Sequence, residues 1–238
     1  MLADLPIVVE AGRLEPEVHL PGTARHALLD FIAEELPRWR DHPDRKRETS
    51  EVRLTDQLCS HLNSAARISV GWSWIQFRTE VPDEVEAGRA IDLAVKPCGA
   101  ILVIEGRRHT AFQSLLPIEC KRLPTPQERG RDEREYVVTS PGTTGGIQRF
   151  KFGLHASIHQ LGAMIAYVQE MTFSEWLNKV NGWILDLSMG ADSAWSGSDA
   201  LLLLTEDSAK GMCLLRSDHK RPGQPEKCQL RHLWIKMN

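Results

Sequence analysis

Between residues 71 and 123 four segments in a row carry strand-like patterns, and helix-like segments stand on both sides of them. That order restricts the chain to helices packed on a sheet. GWSWIQFRTEV (71–81) is aromatic and alternating, the pattern of a half-buried strand. PDEVEAG turns the chain and RAIDLAV (89–95) returns, giving a hairpin with a seven-residue loop. AILVIE (100–105) reads as a further strand, GRRH as a turn and TAFQSLLPIECKRL (110–123) as a long strand.

Upstream, residues 23–39 place Ala27, Leu28, Phe31, Ile32, Glu35 and Leu36 at helical spacing, with Thr23 as the cap. Residues 49–66 repeat Leu54, Leu58 and Leu62 every four positions behind Thr49 and Ser50, a second helix. Downstream, residues 146–171 put Ile147, Phe150, Leu154, Ile158, Leu161, Ile165 and Val168 on one apolar face and predict a long helix. A short helix follows, and ALLLLTED, GMCLLRSD and CQLRHLWIKM read as closing strands. The fold expected is α+β (α/β/α-like), a central mixed β-sheet flanked by helices. It forms one domain over residues 1–238, with a core at about 49–170 and a C-terminal strand extension at about 171–238. Residues 1–22 read as extended or irregular and 124–144 as a loop rich in Pro, Gly and charge.

Composition narrows the functional classes. No segment approaches the ~20 apolar residues of a membrane helix, and the N-terminal stretch lacks the basic start of a signal peptide. Five cysteines without a CxxC pair fit a reduced, cytoplasmic setting better than a disulfide scaffold. A net charge of −3 weighs mildly against a nucleic-acid binder, although carboxylates that hold a metal contribute negative charge of their own. The charged stretch RDHPDRKRE (40–48) reads as solvated surface.

The chemistry sits in LLPIECKRL (115–123). Successive strand residues point to opposite faces, so Glu119 and Lys121 share one face and Ile118 and Cys120 the other. In RAIDLAV, Ile91, Leu93 and Val95 share a face, and Asp92 lies on the reverse with Ala90 and Ala94. If the two strands are close in the sheet, Asp92, Glu119 and Lys121 converge. Two facing carboxylates need a proton or a cation between them. A hard divalent ion, Mg²⁺ (or Mn²⁺), suits oxygen ligands, and the backbone carbonyl of Cys120 is one more. Such an ion activates water and polarises a phosphoryl oxygen, and a lysine beside it stabilises developing charge. The competing reading of Glu119 and Lys121 is a plain surface ion pair, worth little.

IDLAV followed by IECKRL resembles the PD-(D/E)xK nuclease superfamily: an Asp, a spacer, then Glu-x-Lys at the end of a hydrophobic strand. The hairpin before it, the helix after it and a helix in front are similar to that family's restriction-endonuclease-like core. The usual proline before the aspartate is replaced, AID standing there. The resemblance spans roughly residues 49–170. It implies Asp92 and Glu119 as metal ligands, Lys121 as the catalytic lysine, and a DNA substrate in preference to RNA. GGIQRF…GAMIAYV and RSDHKR…LRHLWIKM are similar to segments of compact bacterial nucleases of mobile-element and phage-defence systems. The alternative is a catalytically inactive subunit of the same fold that binds nucleic acid or a protein partner in a defence complex.

Further residues carry two readings each. Glu51 lies on the buried Leu54–Leu58–Leu62 stripe, either as a first-turn acid that suits the helix dipole or as a further metal or water ligand. Arg149 and Gln160, on the second stripe of the 146–171 helix, either contact substrate phosphate and the metal site or simply pack. Eleven residues apart on a helix, about 16 Å of rise, they cannot serve one phosphate. His155 and His159 form HxxxH without the HExxH context, expected on a solvated helix face. Ser217, His219, Arg221 and His232 form either a polar cluster beneath the site or ordinary strand polarity.

Overall fold

The computed structural model describes residues 17–20, 23–126, 130–190, 193–223 and 227–237. In chain order the elements are β1 (Glu17–Leu20), α1 (Ala24–Arg40), α2 (Glu51–Ile68), β2 (Ile75–Pro82), β3 (Ala90–Pro97), β4 (Ile101–Ile104), β5 (Arg107–His109), β6 (Leu116–Leu123), α3 (Gly146–Lys151), β7 (Leu161–Val168), α4 (Phe173–Ser188), β8 (Leu202–Asp207), β9 (Met212–Lys220) and β10 (Lys227–Lys236). Among the described residues no helix is long and apolar enough to cross a membrane.

Seven strands form the central sheet in the order β2-β3-β6-β7-β10-β9-β8. β6 pairs β7 and β7 pairs β10 in parallel, while the remaining neighbours are antiparallel, so the sheet is mixed. β10 lies beside β7, which makes the closing strands a continuation of the same sheet rather than an appendage. GRRH is not a bare turn: Arg107–His109 is β5, which pairs β4 in a small separate sheet, β1-β4-β5.

Two cores lie on the two sides of the sheet. Leu28, Ile32 and Leu36 of α1 and Leu54, Leu58 and Leu62 of α2 pack with Leu93, Val95, Ile118 and Cys120. Phe150 of α3 and Trp176, Val180 and Ile184 of α4 pack with Met164, Ala166, Val168 and Trp234. Each fully buried large apolar side chain is worth about 1.5–3 kcal/mol relative to exposure, so both helix layers are held mainly by this packing. Neither Thr23 nor Ser50 caps its helix through the side chain.

The segment 146–171 departs most from the sequence expectation. It is not one helix: α3 ends after six residues, and Leu161–Val168 is a strand with all eight residues buried. Gly153 at φ +62° and Ala156 at φ +51° break the helical path between them. The loop is fastened by Arg89, which donates to the Leu154 carbonyl, and by Arg221, which donates to those of Phe150 and Ser157. A strand between two parallel neighbours, covered on both faces, is apolar throughout. Its residues at 161, 165 and 168 therefore happened to extend the helical spacing of 147, 150 and 154. Residues 110–115 also precede β6 rather than belong to it.

Candidate metal and phosphate site at a split in the sheet

β3 and β6 pair only through Leu93↔Ile118, Ala94↔Pro117 and Val95↔Leu116. The ladder stops one residue short of Asp92 and Glu119, and there the strands part. Asp92 is also skipped on its other side: β2 and β3 pair at Thr79↔Leu93 and Val81↔Ile91, with Glu80 between them at φ +49°. A positive φ at a bulky residue is strained backbone, of the kind that gathers at functional sites. The distortion also redirects the strand, so Ile91 packs in the second core while Leu93 and Val95 pack in the first. The shared face expected for the three is broken at Asp92.

Beyond the split, the amides of Cys120 and Arg122 have lost their partner strand, and side-chain carboxylates take its place. Asp92 Oδ2 accepts from Cys120 N at 2.8 Å, and Glu51 Oε2, from the first residue of α2, accepts from Arg122 N at 3.0 Å. Lys121 reaches into the same gap. Its Nζ lies 2.9 Å from Glu119 Oε1, 3.2 Å from Asp92 Oδ2, 3.5 Å from Glu51 Oε1 and 3.0 Å from the Cys120 carbonyl. Asp92, Glu119, Lys121 and Glu51 therefore meet around one ammonium, and the Cys120 carbonyl borders them. Among the described residues no three His, Cys, Asp or Glu side chains share the geometry of a metal centre; here the acids gather on the Lys121 ammonium.

Arg149 adds a second cation from α3 and donates to Glu119 Oε1. Gln160 does not reach the site. It is exposed in the loop before β7, beside Arg25, Glu105 and Lys227, and its carbonyl accepts from Gln229 N. His155 and His159 lie on no helix and are both buried. His155 Nδ1 stands 3.6 Å from Glu119 Oε2, a proximity with no signal in the residue pattern, where the HxxxH spacing points to a solvated face.

Charge and burial divide the two central acids. Burial and the neighbouring Glu119 raise the Asp92 carboxyl to about 7, against the pull of Lys121. Its side chain stays 22% exposed at the cleft mouth, where water offsets part of that cost. Burial alone would also raise Glu119, but Lys121, His155 and Arg149 outweigh it and bring that group down to about 2. Burial works against the Lys121 ammonium, and Glu119, Asp92 and Glu51 overcome it, raising its pKa well above the ordinary lysine value. Three acids face two cations, so the cluster carries an excess of negative charge when all are ionised. Glu119 Oε2 is buried and finds no hydrogen-bond partner among the described residues. The cleft outside, about 210 Å³, is lined by Glu51, Arg53, Asp56, Glu80 and Asp92.

Cys120 turns to the opposite face, buried beside Thr55 and Tyr167, and burial lifts its thiol well above the ordinary value, which leaves it unreactive. Compared with models of known families, with curated proteins and with solved structures, the chain matches none.

Proposed function

We propose that this protein is a Mg²⁺-dependent nuclease that hydrolyses DNA phosphodiester bonds at the split between β3 and β6. The observation that carries the reading is the meeting of Asp92, Glu119 and Glu51 around Lys121, where the β3–β6 ladder stops. The element order supports it as well: a helix, the antiparallel strands β2, β3 and β6 with the small β4–β5 pair inserted before the third, and a helix, in line with the strand–strand–strand–helix core that the resemblance to PD-(D/E)xK nucleases implies.

The donors fit a hard cation. The Asp92 and Glu119 carboxylates, the second with an unpartnered Oε2, and the Cys120 carbonyl are oxygen ligands of the kind such ions take. Asp92 and Glu119 would hold the ion, with Glu51 at its side. Bound there, Mg²⁺ supplies Lewis acidity toward a phosphoryl oxygen and a more acidic water. The acids around it hold the Lys121 ammonium above the ordinary lysine value, so it would donate hydrogen bonds to the water or the phosphate oxygens. Arg149 fixes Glu119 from behind. The cleft mouth holds four acids and one arginine, so a bound divalent cation would offset most of the negative field that opposes a phosphate.

The test is cleavage of single- and double-stranded DNA with Mg²⁺, set beside Lys121→Ala. Metal-dependent cleavage that falls at least about 100-fold in the variant is expected. Equal cleavage by both proteins removes the assignment. A second reading has its own support: Asp92 and Glu51 satisfy the amides of Cys120 and Arg122, a purely structural task. On it the protein is an inactive member of the same fold that binds nucleic acid or a protein partner, and DNA binding without hydrolysis would favour it.

A further inference from the structure

We infer that Asp199, in the C-terminal part of the chain, is a positioning residue that holds Arg149 against Glu119 through Lys151. The inference rests on the reading of Glu119 as a site residue and names what keeps it in place.

α3 is six residues long, far below the about 12–15 at which a helix persists alone. Its place is therefore set by contacts from outside. It carries Arg149, which donates to Glu119, and two residues on Lys151, which turns to the other side and is 1% exposed. The Lys151 ammonium donates to both oxygens of Asp199, each at 2.9 Å, and lies 5.3 Å from the Trp195 ring. Asp199 sits in a single 3-10 turn, Gly197–Asp199, and also accepts from Ser196 N at 2.8 Å.

Behind Asp199 runs a hydrogen-bond chain with one direction. The Trp234 indole N–H donates to the Tyr136 hydroxyl at 2.8 Å. The direction is set from the far end, where the Asp199 carboxylate accepts from His219, and with neutral rings it leaves His232 Nδ1 to accept from the Tyr136 hydroxyl at 2.7 Å. His232 then carries its proton on Nε2 and donates to Ser217 Oγ at 2.8 Å. Ser217 in turn donates to His219 Nε2 at 2.7 Å, and His219 Nδ1–H donates to Asp199 Oδ1 at 2.8 Å. Burial lowers both imidazoles below the ordinary histidine value, in the direction of the neutral rings this order requires. Ser217, His219 and Asp199 have the composition of a nucleophilic triad, yet each is 1% exposed or less and the Ser217 oxygen already accepts from His232. The chain serves to fix the Asp199 carboxylate, and through it the end of α3.

The test uses the full chain with Asp199→Asn, with Lys151→Met breaking the same link from the other side, and with Arg149→Gln as reference. The readout is NMR of the Arg149 guanidinium, which a held ion pair keeps in slow rotation. Its resolved Nη signals, identified by their loss in Arg149→Gln, should average in both Asp199→Asn and Lys151→Met. Cleavage should fall about tenfold in Asp199→Asn and show no further fall when that change is added to Arg149→Gln. Guanidinium signals unchanged in whichever of the two variants folds would overturn the proposal, as would full additivity of the two rate losses. If the wild type cleaves nothing, the nuclease reading fails, and the NMR arm still decides whether Asp199 positions Arg149.

Discussion

Two buried polar clusters lie on either side of α3, and they are built on opposite terms. Behind it, Lys151, Asp199, His219, Ser217, His232, Tyr136 and Trp234 form a closed chain in which every proton has an acceptor and the one cation meets the one anion. In front of it, three acids share Lys121 and Arg149, one carboxylate oxygen is unpartnered, and Asp92 is pushed up to about 7. A closed chain specifies a fold. A cluster with surplus charge and a spare ligand atom is poised to take something more. Exposure separates them as well, since Asp92 and Glu51 reach the cleft whereas Asp199 and His219 do not.

The largest effect that would break this contrast is at Lys121. Lys121→Met leaves three carboxylates without their common cation, a loss of about 3–5 kcal/mol for a broken buried pair. Thermal unfolding at pH 8 should show Tm lowered by about 10 °C, and millimolar Mg²⁺ should restore part of it. No recovery with Mg²⁺ would place the front cluster in the structural class of the rear one. Next comes Ser217→Ala, which strands an N–H of His232 and a ring nitrogen of His219. Urea denaturation should show a loss of about 3 kcal/mol, with no recovery on adding Mg²⁺.

A smaller effect of opposite sign is expected at Asp92. Its folded-state pKa is raised from 3.8 to about 7, so the native state holds that proton more tightly than the unfolded chain does. Stability contributed by this group is intact below the unfolded value and lost as pH climbs from about 4 to 7. Asp92→Asn keeps an oxygen for the Cys120 amide and removes the charge. Its Tm should exceed the wild type by about 3–6 °C at pH 8 without divalent ions, and the gap should close by pH 4. A gap independent of pH would sink the assignment of the raised carboxyl. Gln160→Ala should do least: stability within about 0.5 kcal/mol of wild type and unchanged Mg²⁺ response, because Gln160 is exposed and away from the cluster.

The same contrast bears on what the sequence allowed one to read. β3 and β6 announce themselves because their apolar runs carry Asp92 and Glu119-x-Lys121 on otherwise core-forming strands, and a charge in such a place needs a reason. Glu51 stood out likewise, as an acid on the Leu54–Leu58–Leu62 stripe. The rear chain gave much less: Ser217, His219 and His232 alternate on strands as polar residues do on any edge, and their partners Lys151, Asp199 and Tyr136 come from remote segments. Residues 146–171 misled because β7 is buried on both faces, which erases the two-residue period. The short stretch with Gly153 was the one local hint that the helix ends. Gln160 followed that error, since its stripe existed only on the helix. Arg149 kept its place by the site because α3, brief as it is, starts where the long helix was expected to start.

The central claim is that Asp92 and Glu119 together bind one divalent ion. Isothermal titration of Mg²⁺, with Mn²⁺ in parallel, into wild type, Asp92→Asn and Glu119→Gln at pH 8 tests it most directly. The account predicts one ion per chain in the wild type and no measurable uptake in either variant. Absence of uptake by the wild type, or equal uptake by all three proteins, would contradict it.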